Sequence, residues 1–198
     1  MILFDLENRR EISRVASEAR HPAVSSLASK QPLIVSGHTI LLDKIELSTF
    51  EDPKLAQVHP SPDGLKVLLK VDNTIKIVFL HDMQKLKERI QTLPLESFEV
   101  AFCWFKDSEQ VVIAYRNKFQ VLNVFEPENM VLSEDISLAH DSFRYTPKVC
   151  FADRIVILRD ASLRLLFYDV KRQKFIAQST IDDIGAYTVI GENLIYSR

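Results

Sequence analysis

Residues 59–75 read HPSPDGLKVLLKVDNTI. A turn at Ser61-Pro62-Asp63-Gly64 feeds the apolar run Leu65 to Val71, and a second turn at Asp72-Asn73-Thr74 feeds Ile75 to Leu80. Short β-branched and aliphatic runs separated by Pro, Asp-Gly and Asp-Asn read as successive antiparallel strands. The pattern recurs. FEVAFCW (98–104) leads through the polar turn 105–109 to VVIAY (111–115), then a turn at Arg116-Asn117-Lys118, then FQVLNV (119–124). YTPKVCFAD (145–153) leads to RIVILRD (154–160), a turn at Ala161-Ser162, and LRLLFYDV (163–170). The turn residues Asp72, Asn117 and Asp160 fall 45 and 43 residues apart.

A fourth, more polar strand candidate closes each unit: LKERIQTL (86–93), MVLSEDISL (130–138) and KFIAQSTI (174–181). Four short strands in a unit of roughly 40 to 45 residues are the signature of a propeller blade. One such sheet cannot bury both faces alone; fanned against its neighbours, it can. The flanks follow the same order. ILFDL (2–6) and EISRVA (11–16) read as third and fourth strands. AVSSLA, PLIVSG, TILLDKI and ELSTF fill residues 23–50, and AYTVIG and NLIYS are the first two strands of a further unit.

The expected fold is all-β: a partial β-propeller of four-stranded antiparallel, WD-repeat-like blades. Its parts are a half-blade at 1–16, blades at about 21–50, 54–94, 97–138 and 143–181, and a half-blade at 184–198. The terminal pieces look like ordinary blade halves, which favours an incomplete arc of a larger ring over a closed ring of about five blades. Helical spacing competes in two places. Met83, Leu86, Ile90 and Leu93 recur at helical intervals in 82–93, as do Ile12, Val15 and Ala19 in 7–20.

A hydrophobic fraction of 46% with 26% charged residues is that of a soluble globular chain. A net charge of -2 argues against a surface built wholly for nucleic acid. No apolar run approaches the roughly 20 residues that span a bilayer. The start, MILFDLENRREIS, has Asp5 and Glu7 where a signal peptide needs its apolar core. Two cysteines, Cys103 and Cys150, with no Asn-x-Ser/Thr sequon, suit a reducing cytoplasmic setting and two buried small side chains.

Candidate chemistry is sparse. A phosphate loop needs closely spaced glycines, and Gly37, Gly64, Gly185 and Gly191 stand apart. Metal sites need ligands at short spacing, and His21, His38, His59, His81 and His140 are scattered singly. His81-Asp82 and His140-Asp141 are neighbours, but adjacent strand residues point to opposite faces. Cys103 lies between Phe102 and Trp104 and is expected to be buried and inert. The first strands FEVAFCW and PKVCFA are apolar, which disfavours a hydrolase with carboxylates in a central channel. The expectation is a non-enzyme with no catalytic, cofactor-binding or metal residue, and no cofactor. The basic clusters Arg9-Arg10, Lys85-Lys87-Arg89 and Lys171-Arg172-Lys174 read as solvated loops, with an acidic partner or anionic membrane surface as the functional alternative.

ILFDLENRREI and LLFYDVKRQKFI resemble the end of a WD-repeat blade, with Phe4-Asp5 and Tyr168-Asp169 where that repeat has Trp-Asp; Gly37-His38 keeps its Gly-His. The succession MILFDLENRR, LIVSGHTILL, VHPSPDGLKVLL, VIAYRNKFQVLNV, RIVILRDASLRLLFYDV and YTVIGENLIYSR is similar in order to segments of the coatomer alpha-subunit family, in the second of its two N-terminal propellers. The related beta-prime subunits are the nearest rival, followed by scaffolds of ciliary transport or RNA processing. The resemblance implies a structural part of the COPI vesicle coat in Golgi-to-endoplasmic-reticulum and intra-Golgi transport. Such a part is cytoplasmic, peripheral on Golgi and vesicle membranes, and partnered by other coatomer subunits rather than by nucleic acid or a small-molecule substrate. In that family dilysine cargo tails are read by the first propeller, so no cargo-binding residue carries over, and the α-solenoid that follows the propellers has no counterpart in these residues.

Overall fold

The structure is a computed structural model that describes residues 2–5, 10–14, 24–26, 32–36, 39–42, 45–49, 57–80, 90–97, 99–125, 129–138, 147–150, 153–160, 162–179, 183–190 and 193–197. Among the described residues the regular elements are all antiparallel β-strands. The hairpin β1 (Ile2–Asp5) and β2 (Arg10–Arg14) comes first. Next is the sheet β3 (Val24–Ser26), β4 (Pro32–Ser36), β5 (Thr39–Leu42) and β6 (Ile45–Thr49). The opening stretch lies in β7 (Gln57–Pro60), β8 (Lys66–Val71), β9 (Thr74–Phe79) and β10 (Ile90–Pro94). The following sheet is β11 (Ala101–Trp104), β12 (Gln110–Ala114) and β13 (Lys118–Asn123), with β14 (Val131–Leu132) and β15 (Ile136–Ser137) both on β13. Then come β16 (Lys148–Cys150), β17 (Ile155–Arg159), β18 (Leu165–Asp169) and β19 (Lys174–Gln178), and last the hairpin β20 (Ala186–Ile190) and β21 (Asn193–Ser197). In every sheet, strands adjacent in sequence pair with one another, except that β14 and β15 both pair with β13. The chain divides into two compact units, Met1–Phe98 and Glu99–Arg198.

The turns explain why the chain reverses where it does. Ser61 Oγ accepts from the Lys66 N–H at 2.9 Å and donates to Asp63 Oδ1 at 2.6 Å, while Asp63 Oδ1 accepts from the Leu65 N–H. Gly64 sits at φ 69°, where a Cβ is costly. Val71 pairs with Thr74 across Asp72-Asn73, and Asp72 takes φ 50°, a region aspartate tolerates.

Apolar residues on alternate positions face neighbouring sheets. In the first unit, Val67, Leu69, Val71, Val78 and Leu80 pack against Ile40, Leu42 and Leu47 of the preceding sheet. In the second, β17 is buried on both faces. Val156 and Leu158 join Val112, Phe119, Val121 and Tyr168, while Ile155 and Ile157 join Leu165, Ile184 and the half-buried Tyr187, Val189 and Leu194. Each such side chain contributes about 1.5 to 3 kcal/mol by leaving water. On each face of β17 the burial comes from neighbouring sheets as well as from β18 of its own.

One irregularity repeats. β2 skips Ile12 between Glu11↔Phe4 and Ser13↔Leu3. β6 skips Leu47 between Glu46↔Leu41 and Ser48↔Ile40. β19 skips Ile176 between Phe175↔Tyr168 and Ala177↔Phe167. In each case the last residue of the third strand opposes the first of the fourth, and the bulged residue is the third of its strand. β10 pairs with β9 without interruption. Thus the hairpin β1–β2 has the register of a third and fourth strand.

Three expectations need adjustment. Helical spacing loses to strand pairing at Ile90–Pro94 and at Arg10–Arg14, because both segments have a ladder to join; 81–89 and the rest of 7–20, Arg10–Arg14 apart, lie outside the described residues. Ile45 belongs to the fourth strand of its sheet, since it opposes Leu42. The segment 130–138 is two short strands. The reason is Ser133: its Oγ accepts from the Val121 N–H at 2.9 Å, taking a ladder place that a backbone carbonyl would fill.

Candidate functional site

The charged side chains that could carry chemistry instead hold turns and strands together. Asp169 ends β18 and is fully buried. Its Oδ2 accepts from Arg154 Nε at 2.9 Å and Nη2 at 2.7 Å, and its Oδ1 accepts from the Arg172 N–H at 3.0 Å. Hydrogen bonding from Arg154 holds the Asp169 carboxyl below the usual carboxylate range, against the effect of burial. The carboxylate therefore ties the start of β17 to the turn after β18. Its neighbour Tyr168 is buried, with its ring edge-on to Phe119 at 5.0 Å and Phe175 at 5.1 Å between centroids. The Tyr-Asp pair thus divides its work: the ring fills the core between two sheets and the carboxylate fixes the turn.

Other carboxylates do similar work. Buried Asp160 accepts from the Arg164 N–H at 2.9 Å and from Arg164 Nη2 at 3.0 Å, closing the β17–β18 turn. Asp135 accepts from Lys118 Nζ at 2.8 Å and Gln120 Nε2 at 2.9 Å. Asp153 reaches a different sheet. From the β16–β17 turn its two oxygens accept from the Lys106 N–H at 2.6 Å and the Asp107 N–H at 3.0 Å, capturing the β11–β12 turn.

Sequence reasoning missed two buried cations. Arg159 is buried at the end of β17 and its Nη1 donates to the carbonyls of Ile184 and Gly185, which anchors the approach to β20. Lys70 is buried on β8 and its Nζ donates to the Asp72 carbonyl at 3.2 Å. Burial pushes the Lys70 ammonium below its ordinary range, partly offset by Asp72. Both cations sit inside apolar runs, where alternation alone gives no sign of them. Asp153 was hidden for another reason: its partners are backbone groups 46 and 47 residues away.

The first strands β11, β16 and β20 lie side by side. They bring Cys103 and Tyr187 into the same region. Cys103 is a free thiol, half-buried rather than buried, because its strand is an inner edge instead of a sheet centre; burial still raises its pKa, chiefly over a lowering by Lys148. Burial also raises the Tyr187 phenol, whose hydroxyl donates to the Ile157 carbonyl at 3.3 Å. The Cys150 backbone lies in β16, and its side chain is outside the described residues. His59 on β7 is half-buried, meets Gln57 Oε1 at 3.1 Å, and has its pKa lowered by burial. His21, His38, His81 and His140 lie outside the described residues, as do Gly37, Gly191, Arg9, Lys85, Lys87 and Arg89. Among the described residues, no three of His, Cys, Asp and Glu are grouped to hold a metal ion, and no helix is long and apolar enough to cross a membrane. Lys171, Arg172 and Lys174 are exposed on and before β19.

No protein-family model matches the chain, and no curated protein matches it. Solved structures do. A protein from Lactobacillus plantarum superposes over 96% of this chain with a TM-score of 0.55 at 14% identity, covering 64% of that structure. A protein of unknown function from Desulfotomaculum acetoxidans gives 0.55 at 16% identity over 89% of this chain and 61% of its own. The β-propeller domain of Cps50 (Swd1) from Myceliophteria thermophila gives 0.51 at 10% identity over 90% of this chain and 65% of its own. The chain therefore spans less than two thirds of each of these three structures. At these identities the likeness concerns the fold alone, and it agrees with the sheets: the chain is all-β, of the β-propeller class, built from four-stranded antiparallel, WD-repeat-like sheets.

Proposed function

We propose that this chain is a non-catalytic scaffold that presents strand edges and loops to protein partners, and that its setting is the COPI vesicle coat. The observation that carries the scaffold reading is the use of the carboxylates. Asp63, Asp135, Asp153, Asp160 and Asp169 each accept from turn or strand groups that fix the sheets. A hydrolytic site needs such groups convergent on one reacting atom. The coat setting is supported by the ordered segments, above all RNKFQVLN, LRDASLRLLFYDVKRQK and VIGENLIY. It makes the protein a peripheral, cytoplasmic-face component whose mechanism is shape: buried sheet-to-sheet contacts hold the scaffold, and exposed edges meet partners.

The test is affinity capture of the tagged 198-residue chain from cytosol, with bound proteins identified by mass spectrometry. Recovery of coatomer subunits is the expected result. Recovery of a ciliary or RNA-processing complex in their place would reject the coat and keep the scaffold. Turnover of a substrate, abolished by replacing one of the five aspartates in a chain that stays folded, would reject the scaffold.

A further inference from the structure

Strand β19 is the last strand of its sheet, and all five of its residues are exposed. Among the described residues no strand pairs with its outer edge. A free edge presents backbone N–H and C=O groups at regular spacing. The strip is also cationic. Lys171, Arg172 and Lys174 are exposed, and the Arg154 side chain is 42% exposed beside them. Asp169 is buried beneath Arg154 at 2.7 Å and Arg172 at 3.7 Å, so its own negative charge does not face outward. Two apolar side chains accompany the charges: Phe175 is 40% exposed and Ile176 46%.

We propose that the β19 edge, with the basic turn before it, docks an extended acidic peptide segment of a partner, added antiparallel or parallel as a further strand. Acidic side chains meet Lys171, Arg172 and Lys174; apolar side chains between them cover Ile176; the peptide backbone completes the edge. The bulge at Ile176 interrupts regular pairing, so the paired stretch is short, about four residues. A lipid headgroup answers the charge but leaves the edge backbone unmet, whereas a peptide answers both. This deepens the scaffold reading and rests on its partner-binding half alone, independent of the coat.

The probe is a short fluorescent peptide of alternating Glu and Val, titrated into the full chain by anisotropy. Binding that weakens with salt is expected, with a loss of about tenfold in the double variant Lys171→Glu/Lys174→Glu. Methylation of alternate backbone nitrogens in the peptide should abolish it. If circular dichroism shows that the double variant has lost its fold, Lys171→Gln/Lys174→Gln gives the same reading with a smaller loss. Equal binding of a Lys-Val peptide, indifference to N-methylation, or binding of phosphatidylserine vesicles without binding of the peptide would each overturn the proposal. A chain that binds the peptide yet captures no coat subunit rejects only the coat; one that captures coat subunits and ignores the peptide rejects only the edge.

Discussion

At the residue scale, Asp169 and Lys70 both make stability rise with pH, in two separate windows, one below the ordinary aspartate value and one below the ordinary lysine value. The folded-state pKa of Asp169 is depressed, chiefly by its hydrogen bonds from Arg154. Its stabilisation is complete above the unfolded aspartate value of about 3.9 and is lost as pH falls through the folded value. Asp169→Asn should lower the melting temperature at pH 7 and flatten the acid limb of stability below about pH 4; a variant with the wild-type acid limb would refute this role. The folded-state pKa of Lys70 is also depressed, here by burial, so the unfolded chain binds more protons between that value and the ordinary lysine value. Stability then rises with pH through that window. Lys70→Met should remove the rise, read by urea denaturation at successive pH values. For Tyr168, truncation removes a ring held between Phe119 and Phe175; Tyr168→Ala should cost about 3 kcal/mol of unfolding free energy in the same assay.

At the element scale, the strands were legible because turn chemistry and run length agree. Ser61-Pro62-Asp63-Gly64 and Asp72-Asn73 announce reversals, and the aliphatic runs between them are too short for helices. Fourth strands were harder. Ile90 and Leu93 suit a helix or a strand equally, and only the presence of β9 beside them decides. Ser133 looks like any polar residue in a strand until its hydroxyl is seen in the ladder. Links between sheets left no local trace. Asp153 illustrates this: its sequence neighbourhood suggests a turn, and its function is to hold another one. Asp153→Ala should cost about 1 to 2 kcal/mol through two lost hydrogen bonds, measured by chemical denaturation. Asp153→Asn, which keeps an acceptor and tolerates the φ of 59° at this position, should cost less.

At the scale of the whole molecule, each compact unit contains apolar cores assembled from its own sheets. A chain cut to residues 99–198 should therefore keep a β-type circular dichroism spectrum and a cooperative melt. A broad, non-cooperative transition would show that the second unit depends on the first. The candidate site was less legible than the fold. The cluster Lys171-Arg172-Lys174 was visible as charge, but its coincidence with a fully exposed sheet edge depends on strand order, which no single segment encodes.

The offset shared by Ile12, Leu47 and Ile176 bears on how these outer strands accept insertions and deletions. Losing the one supernumerary residue there restores an unbroken ladder and leaves the later partners matched. A deletion elsewhere in the strand slips the register and turns every later side chain over. Length differences among chains of this architecture should accordingly collect at those three positions, and an alignment that places its gaps there will keep inward and outward residues in phase.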